Sequence, residues 1–293
     1  MLEKKLFACL EQKGVFIGAT TSYKEAETVL LGAPMDFTAT YQPGSRNGPL
    51  SIRNVSIALE DYSPYLDKSL EDYRVCDLGD LGLPFGNVQA SLKIIEEATE
   101  ILLQDKKFPI FLGGEHLVSL PIIKSFINHF SNLVIIHFDA HADLREDYYG
   151  QEYSHSTVMR KIADILGPRR IYQFGIRSGH KEEFEFAKDY TRMFPFKVVE
   201  PLKDTLPELK GKPIYVSLDI DVVDPAFAPG TGTQEPGGCS AAEIIEAIHL
   251  LKNLNIVGLD IVEVCPQLDY SERTAILAAK LVRESILSFS QPA

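Results

Sequence analysis

Residues 133–145 read LVIIHFDAHADLR, an apolar run without alternation that passes into Asp139, His141 and Asp143 at two-residue spacing. An unbroken apolar run is how a strand covered on both faces reads, and two-residue spacing in extended backbone sends side chains to one face. The stretch is therefore read as a buried strand of a mostly parallel sheet, with two carboxylates and an imidazole converging at its end. In such sheets functional side chains collect beyond the carboxyl ends of the strands.

Two further stretches repeat the pattern. The run IYVSL ends in Asp219 and Asp221, again two apart. The run PIFL ends in Gly113-Gly114-Glu115-His116, where the glycines permit a tight turn and close backbone approach before a helix with Pro121 in its early turns. Strands are expected near 28–32, 73–78, 109–113, 133–139, 170–175, 213–220 and 256–262. Helical periodicity marks 88–105, 117–130, 156–166, 181–192, 240–252 and 271–288. Ser240 with Glu243 makes a capping box, while Ser271 is a candidate cap with Thr274, and no acid, three residues on. Strands alternating with helices imply an α/β fold with helices packed on both sides of the sheet, three layers in all. With no Ser/Gly-rich linker, composition break or repeat, residues 1–293 are expected to form one domain.

Composition narrows the function. The chain has 293 residues, 45% hydrophobic and 24% charged, which suits a globular protein and excludes disordered, collagen-like and coiled-coil classes. Net charge is 29 − 41 = −12 without a basic cluster, so a nucleic acid partner is not expected, whereas a small cationic ligand would be attracted. Cys9, Cys76, Cys239 and Cys265 form no CxxC pair, which fits a reducing compartment. No apolar run approaches the ~20 residues of a membrane span. The start MLEKKLFACLEQKG, with Glu3, has too short an apolar stretch for a secretory signal, so a cytoplasmic location without membrane attachment is expected.

Asp139, Asp143, Asp219 and Asp221 pushed together with His116 and His141 would repel and raise one another's pKa unless a cation joined them. Oxygen-rich donors with two imidazoles favour a hard six-coordinate ion such as Mn(II) over tetrahedral zinc. Six side chains exceed the needs of one ion, which suggests two ions ~3.5–4 Å apart with bridging carboxylates.

At these residues the chain resembles the ureohydrolase family. The likeness rests on GGEH at 113–116, HFDAHADLR at 137–145, SHST at 154–157, SLDIDVVDPAFAPGTG at 217–232, DIVEV at 260–264 and GAPMDFTATYQPGSRNGP at 32–49. Gln42 and Ser156 depart from the family pattern, where Arg and Gly are expected, and neither is a metal-ligand position. The resemblance implies an arginase/deacetylase-like fold and two manganese ions per chain. One ion would sit on His116, Asp139, Asp143 and Asp219, the other on His141, Asp139, Asp219 and Asp221. It also implies hydrolysis of a guanidinium group, with agmatine giving putrescine and urea as the leading reaction. Arginine, guanidinobutyrate or another guanidino compound is the alternative substrate. Asp143 would hold the attacking hydroxide, His155 would deliver a proton to the leaving amine, and Glu263 would clamp the guanidinium. A homo-oligomer, hexamer or trimer, follows from the same likeness. A single-zinc deacylase needs fewer ligands than are present, and a non-catalytic paralogue would not retain all of them.

The remaining candidates read as follows. His137 shares the parity of the ligands but lies deeper, so it is expected to be a hydrogen-bonded core histidine. His129 and His249 fall on amphipathic helices, and His180 is expected as loop filler near the mouth, with a substrate contact as the alternative. Residues 225–238 should form a loop shaping the pocket wall. Gly44, Arg46 and Gly48 should shape another, unless Arg46 serves a structural ion pair. Glu146, Asp147 and Glu152, against Arg145 alone, suggest a local field that favours an ammonium over a carboxylate at the distal end of the substrate.

Overall fold

The computed structural model describes residues 6–293, so Glu3 of the amino-terminal reading lies outside the described residues. Among the described residues the main sheet has nine strands: β1 Leu10–Glu11, β2 Thr28–Ala33, β5 Val75–Leu81, β6 Phe108–Gly113, β7 Val134–Phe138, β8 Ile171–Phe174, β9 Thr191–Phe194, β10 Pro213–Asp219 and β11 Asn255–Val262. A separate hairpin pairs β3 Tyr62–Ser63 with β4 Lys68–Ser69. The order across the sheet is β1-β5-β2-β6-β11-β10-β7-β8-β9, and all pairings are parallel except that of the edge strand β1.

Helices α1 Gly48–Ser56, α6 Val199–Leu209, α7 Ala241–Leu250 and α8 Arg273–Phe289 contribute to one hydrophobic layer. Helices α2 Val88–Gln104, α3 Ser119–His129, α4 Val158–Leu166 and α5 Lys181–Tyr190 contribute to the other. Alternate residues of β7 serve both layers: Val134, Ile136 and Phe138 face the first and Ile135 the second. Burial on both faces is why the run reads as apolar without alternation, and the three-layer α/β/α arrangement is as expected.

Some elements differ from the sequence reading. Helix α5 stops at Tyr190 because Thr191–Phe194 pairs alongside β8 as a short edge strand. Helix α6, with Pro207 inside it, carries too much proline to read as helical. Gly48, expected in a loop with Gly44 and Arg46, instead opens α1, with Pro49 in its first turn, where a missing N–H costs nothing. Ser271 does not cap α8: Glu272 stands at that position, and Asp269 takes the Thr274 N–H. The Ser240–Glu243 capping box is present. Among the described residues no helix is long and apolar enough to cross a membrane.

Four neighbouring strands, β6, β11, β10 and β7, occupy the middle of the sheet. Their carboxyl ends lead into His116, Glu263, Asp219 and Asp139 respectively, which gathers residues distant in sequence.

Candidate metal centre and cleft

Beyond β7 the backbone itself orients the carboxylates. Asp139 Oδ1 accepts the His141 N–H (2.6 Å), Asp219 Oδ1 accepts the Asp221 N–H (2.8 Å), and Asp221 Oδ1 accepts the Ala140 N–H (2.9 Å). Each aspartate thus anchors one oxygen, and the Oδ2 atoms turn inward. His116 Nδ1 lies 3.0 Å from Asp139 Oδ2, 3.2 Å from Asp143 Oδ2 and 3.4 Å from Asp219 Oδ2. His141 Nδ1 lies 2.8 Å from Asp221 Oδ2 and 3.7 Å from Asp139 Oδ1. The six residues therefore meet as two groups with Asp139 in common.

The turn after β6 brings His116 into place. A Cβ on Gly114 would stand 2.0 Å from the Met35 carbonyl oxygen, so only glycine fits there. Asp143 and Glu263 hold left-handed backbone, φ 53° and 64°, an uncommon conformation for residues with side chains that tends to persist at functional sites. Glu263 is tied down by its N–H to the Gly114 carbonyl (2.8 Å) and accepts the His116 N–H on Oε1 (2.8 Å).

Whether these residues suit a metal is decided by His116. Ser217 Oγ donates to Asp260 Oδ1 (2.8 Å) and therefore accepts from His116 Nε2 (3.0 Å). The proton is on Nε2, and Nδ1 points its lone pair at three carboxylate oxygens without a directed hydrogen bond, although it is buried. A lone pair facing anions inside a protein requires either a second proton or a cation. The donor set of carboxylate oxygens and imidazole nitrogens fits divalent ions. Without one, protons must compensate the charge. Despite burial, Asp139, Asp143 and Asp219 hold the His116 imidazole well above its usual range. Burial, with repulsion from Asp139, pushes Asp143 up to about 6. Burial, with Asp221 and Asp139 beside it, raises Asp219 well above the carboxylate range.

His137 can be placed by the same logic. Gln173 Nε2 lies 2.8 Å from the Ala142 carbonyl, which only accepts, so the amide orientation is fixed. Its other N–H donates to His137 Nδ1 (3.1 Å), and His137 Nε2–H donates to Asp139 Oδ2 (2.7 Å). Both ring nitrogens are engaged, so His137, though within ligand distance of His116 and Asp139, holds the carboxylate and has no lone pair free for a metal. Gln173 was not singled out from the sequence. Its signal is a polar residue inside the apolar run at 170–175, paired in register with His137. Ser217 and Asp260 carry the same signal, paired in register across β10 and β11, whereas Glu115 lies in the turn after β6 and carries none of this kind.

A cleft of about 240 Å³ opens over these groups, lined among others by His155, Glu263, Arg145, Tyr148, Thr231 and Glu183. His155 sits at its wall, where burial, then the charges of His141, His116 and Arg145, hold its imidazole down to about 4. It is neutral at neutral pH, rather than poised near its ordinary value. Burial, then Glu115, pushes Glu263 up to about 8. Thr231 and Thr233 bring the 225–238 loop to the wall, and His180 joins them at the amino end of α5. Arg46 pairs with buried Asp36 at 2.6 Å, a structural ion pair.

The proposed acidic field is not in the cleft. Glu146, Asp147 and Glu152 are exposed and absent from its lining: Asp147 accepts the Gly150 N–H in a turn, and Glu152 pairs with Lys161 at 2.9 Å. Among the described residues Arg145 is the one Lys or Arg of the lining, and it is already engaged, 3.5 Å from Glu183 and stacked over Tyr148.

Known proteins resemble this chain in sequence and fold. An agmatinase of Bacillus anthracis is 54% identical over 278 residues, 94% of this chain and 96% of its own. An agmatinase of Bacillus subtilis is 52% identical with the same coverage. The solved structure of the agmatine ureohydrolase of Thermoplasma volcanium superposes with a TM-score of 0.86 at 33% identity, covering 97% of each chain. The family model for the arginase family matches residues 26–288, a span that contains all six converging side chains together with His155 and Glu263, and the chain belongs to that family.

Proposed function

We propose that the chain hydrolyses agmatine to putrescine and urea at two manganese ions. The observation that carries the reading is the buried, unpartnered Nδ1 of His116 among three carboxylates, at the floor of a cleft that also holds Glu263. One ion would be held by His116, Asp139, Asp143 and Asp219, the other by His141, Asp139, Asp219 and Asp221. When bound, the pair supplies the positive charge that the carboxylates lack and makes water in the cleft more acidic.

The chain's own groups do the rest. Glu263 accepts N–H bonds from the guanidinium. Its carboxyl, raised to about 8 in the free cleft, ionises as the cation arrives, because an adjacent positive charge favours the charged form. Asp143 accepts a hydrogen bond from the attacking water and orients it toward the guanidinium carbon. His155, neutral beforehand, takes up a proton and passes it to the nitrogen that leaves as the amine.

Agmatine is favoured over arginine by charge. The engaged Arg145 provides no free cation for a substrate carboxylate, and burying that carboxylate unpaired would cost several kcal/mol. Agmatine keeps the distal ammonium and lacks the carboxylate, so it brings no such anion, and the similarity to agmatinases supports the same choice. Urea release by manganese-loaded protein on agmatine, arginine and guanidinobutyrate tests the assignment. A kcat/KM for agmatine ~100-fold above that for arginine, or ~2.7 kcal/mol, is expected; comparable rates would overturn it. The chain is further assigned to the cytoplasm as a single-domain protomer of a homo-oligomer, trimer or hexamer. A monomer mass by light scattering would contradict that assembly.

A further inference from the structure

Thr38 lies in the segment after β2, far in sequence from His155, yet the two are in contact. The His155 N–H donates to Thr38 Oγ1 at 3.0 Å, and the same oxygen stands 3.4 Å from His155 Nδ1. The Thr38 hydroxyl proton goes elsewhere, in a short hydrogen bond to Glu115 Oε2. Glu115 is wholly buried and also accepts the N–H groups of Phe37 (3.0 Å) and Thr38 (3.0 Å), so segment 37–38 is pinned to the turn that bears His116.

These bonds decide what Thr38 offers the imidazole. A hydroxyl has one proton and two lone pairs. The proton is given to Glu115 and one lone pair receives the His155 N–H, which leaves a lone pair facing Nδ1. That contact is favourable only when Nδ1 carries the ring proton. Ser154 Oγ, 3.3 Å from the same nitrogen, can rotate its proton either way and does not oppose this. The ring is bounded on another side by the edge-on Tyr148, with centroids 5.6 Å apart.

We propose that Thr38 is a positioning residue for His155, fixing the ring in the Nδ1–H tautomer and leaving Nε2 as the basic nitrogen available to the cleft. The proposal rests on the reading of His155 as the proton-transfer residue. It adds that the segment bearing Thr40 and Tyr41, which line the cleft, is coupled to the proton-transfer group through the Thr38 hydroxyl.

The test combines a spectrum and kinetics. Long-range proton–nitrogen correlation spectra of histidine-labelled, metal-free protein report the tautomer, with His155 assigned by the signals lost in His155→Gln. At pH 8.5, where the Glu115 carboxyl, raised by burial to about 7, is ionised and can only accept, wild-type protein is expected to show Nδ1–H. Thr38→Val, which keeps the shape and loses the hydroxyl, should give mixed or Nε2–H signals. It should also lower kcat ~10-fold or more while KM and manganese content stay within ~2-fold, as expected when only transition-state positioning is lost. Thr38→Ser should recover both the tautomer and most of kcat. An Nε2–H tautomer in the wild type overturns the proposal without any variant, which also covers a valine protein that fails to fold. So does a valine variant with an unchanged tautomer, or one in which KM rises and kcat holds. If His155→Ala itself keeps full kcat, the reading of His155 falls, while the tautomer measurements still decide whether Thr38 holds the ring.

Discussion

Replacing Gln173 with Leu tests the orientation of Asp139, and the structure sets the size of the effect. The side chain is wholly buried and donates two hydrogen bonds, to the Ala142 carbonyl and to His137 Nδ1. Each bond is worth ~1 kcal/mol net, and the abandoned buried carbonyl costs a further ~1–3 kcal/mol. The apolar surface of Leu returns part of this, so metal-free protein should lose ~2–4 kcal/mol in urea unfolding. A second effect comes from His137, which can then carry its proton on Nδ1 and turn a lone pair toward Asp139 Oδ2. Losing an outer partner of a ligating carboxylate typically weakens metal binding ~10–100-fold, so the extra stability conferred by a fixed manganese concentration should shrink by ~1.4–2.7 kcal/mol. Unfolding is followed with EDTA and with manganese. An unchanged midpoint in EDTA would refute the hydrogen bonds, and a lower midpoint with undiminished manganese stabilisation would refute the path through His137.

Other expectations concern single groups. His155→Ala should retain manganese while kcat falls ~10²–10⁴-fold, the usual range for a positioned acid or base, and near-normal kcat would remove it from the reaction. The metal-free protein should lose stability as pH rises from 6.5 to 8. The carboxyls of Glu115 and Glu263, raised to about 7 and about 8, bind protons more tightly folded than unfolded, so their contribution favours folding at low pH and is lost through those values. His116 and His141 are raised as well and act in the same direction, while His155, lowered to about 4, acts oppositely only below 6.5. Thermal scans in EDTA check the sign, and a rising midpoint over that interval would contradict it. Neutralising Glu146, Asp147 and Glu152 together should leave kcat/KM for agmatine within ~2-fold at moderate salt, because screened surface charges contribute little. A narrowing of the agmatine-to-arginine ratio would return the field argument to consideration.

The buried strands were legible because burial on both faces writes an unbroken apolar run, as at 133–139. The converging acids were legible because two-residue spacing is a property of extended backbone. What did not show was anything decided between strands. Gln173 gains its meaning from lying beside His137, and Ser217 from lying between His137 and Asp260 across the sheet. Thr38 and His155 meet across 117 residues. Charge was misread for a related reason: the acids at 146, 147 and 152 are close to the cleft in sequence, but the loop turns their side chains to solvent and presents Arg145 instead. Helices α1 and α6 were hidden by prolines whose positions a helix can tolerate only in particular turns.

The central claim is a site for two ions that share carboxylates. Elemental analysis of protein saturated with manganese and then desalted measures it directly, beside the Asp139→Asn variant. Two manganese ions per chain are expected in the wild type, with both lost or greatly weakened in the variant because Asp139 stands in both groups. One tightly held zinc per fully active chain, or a variant that keeps two ions, would contradict the account.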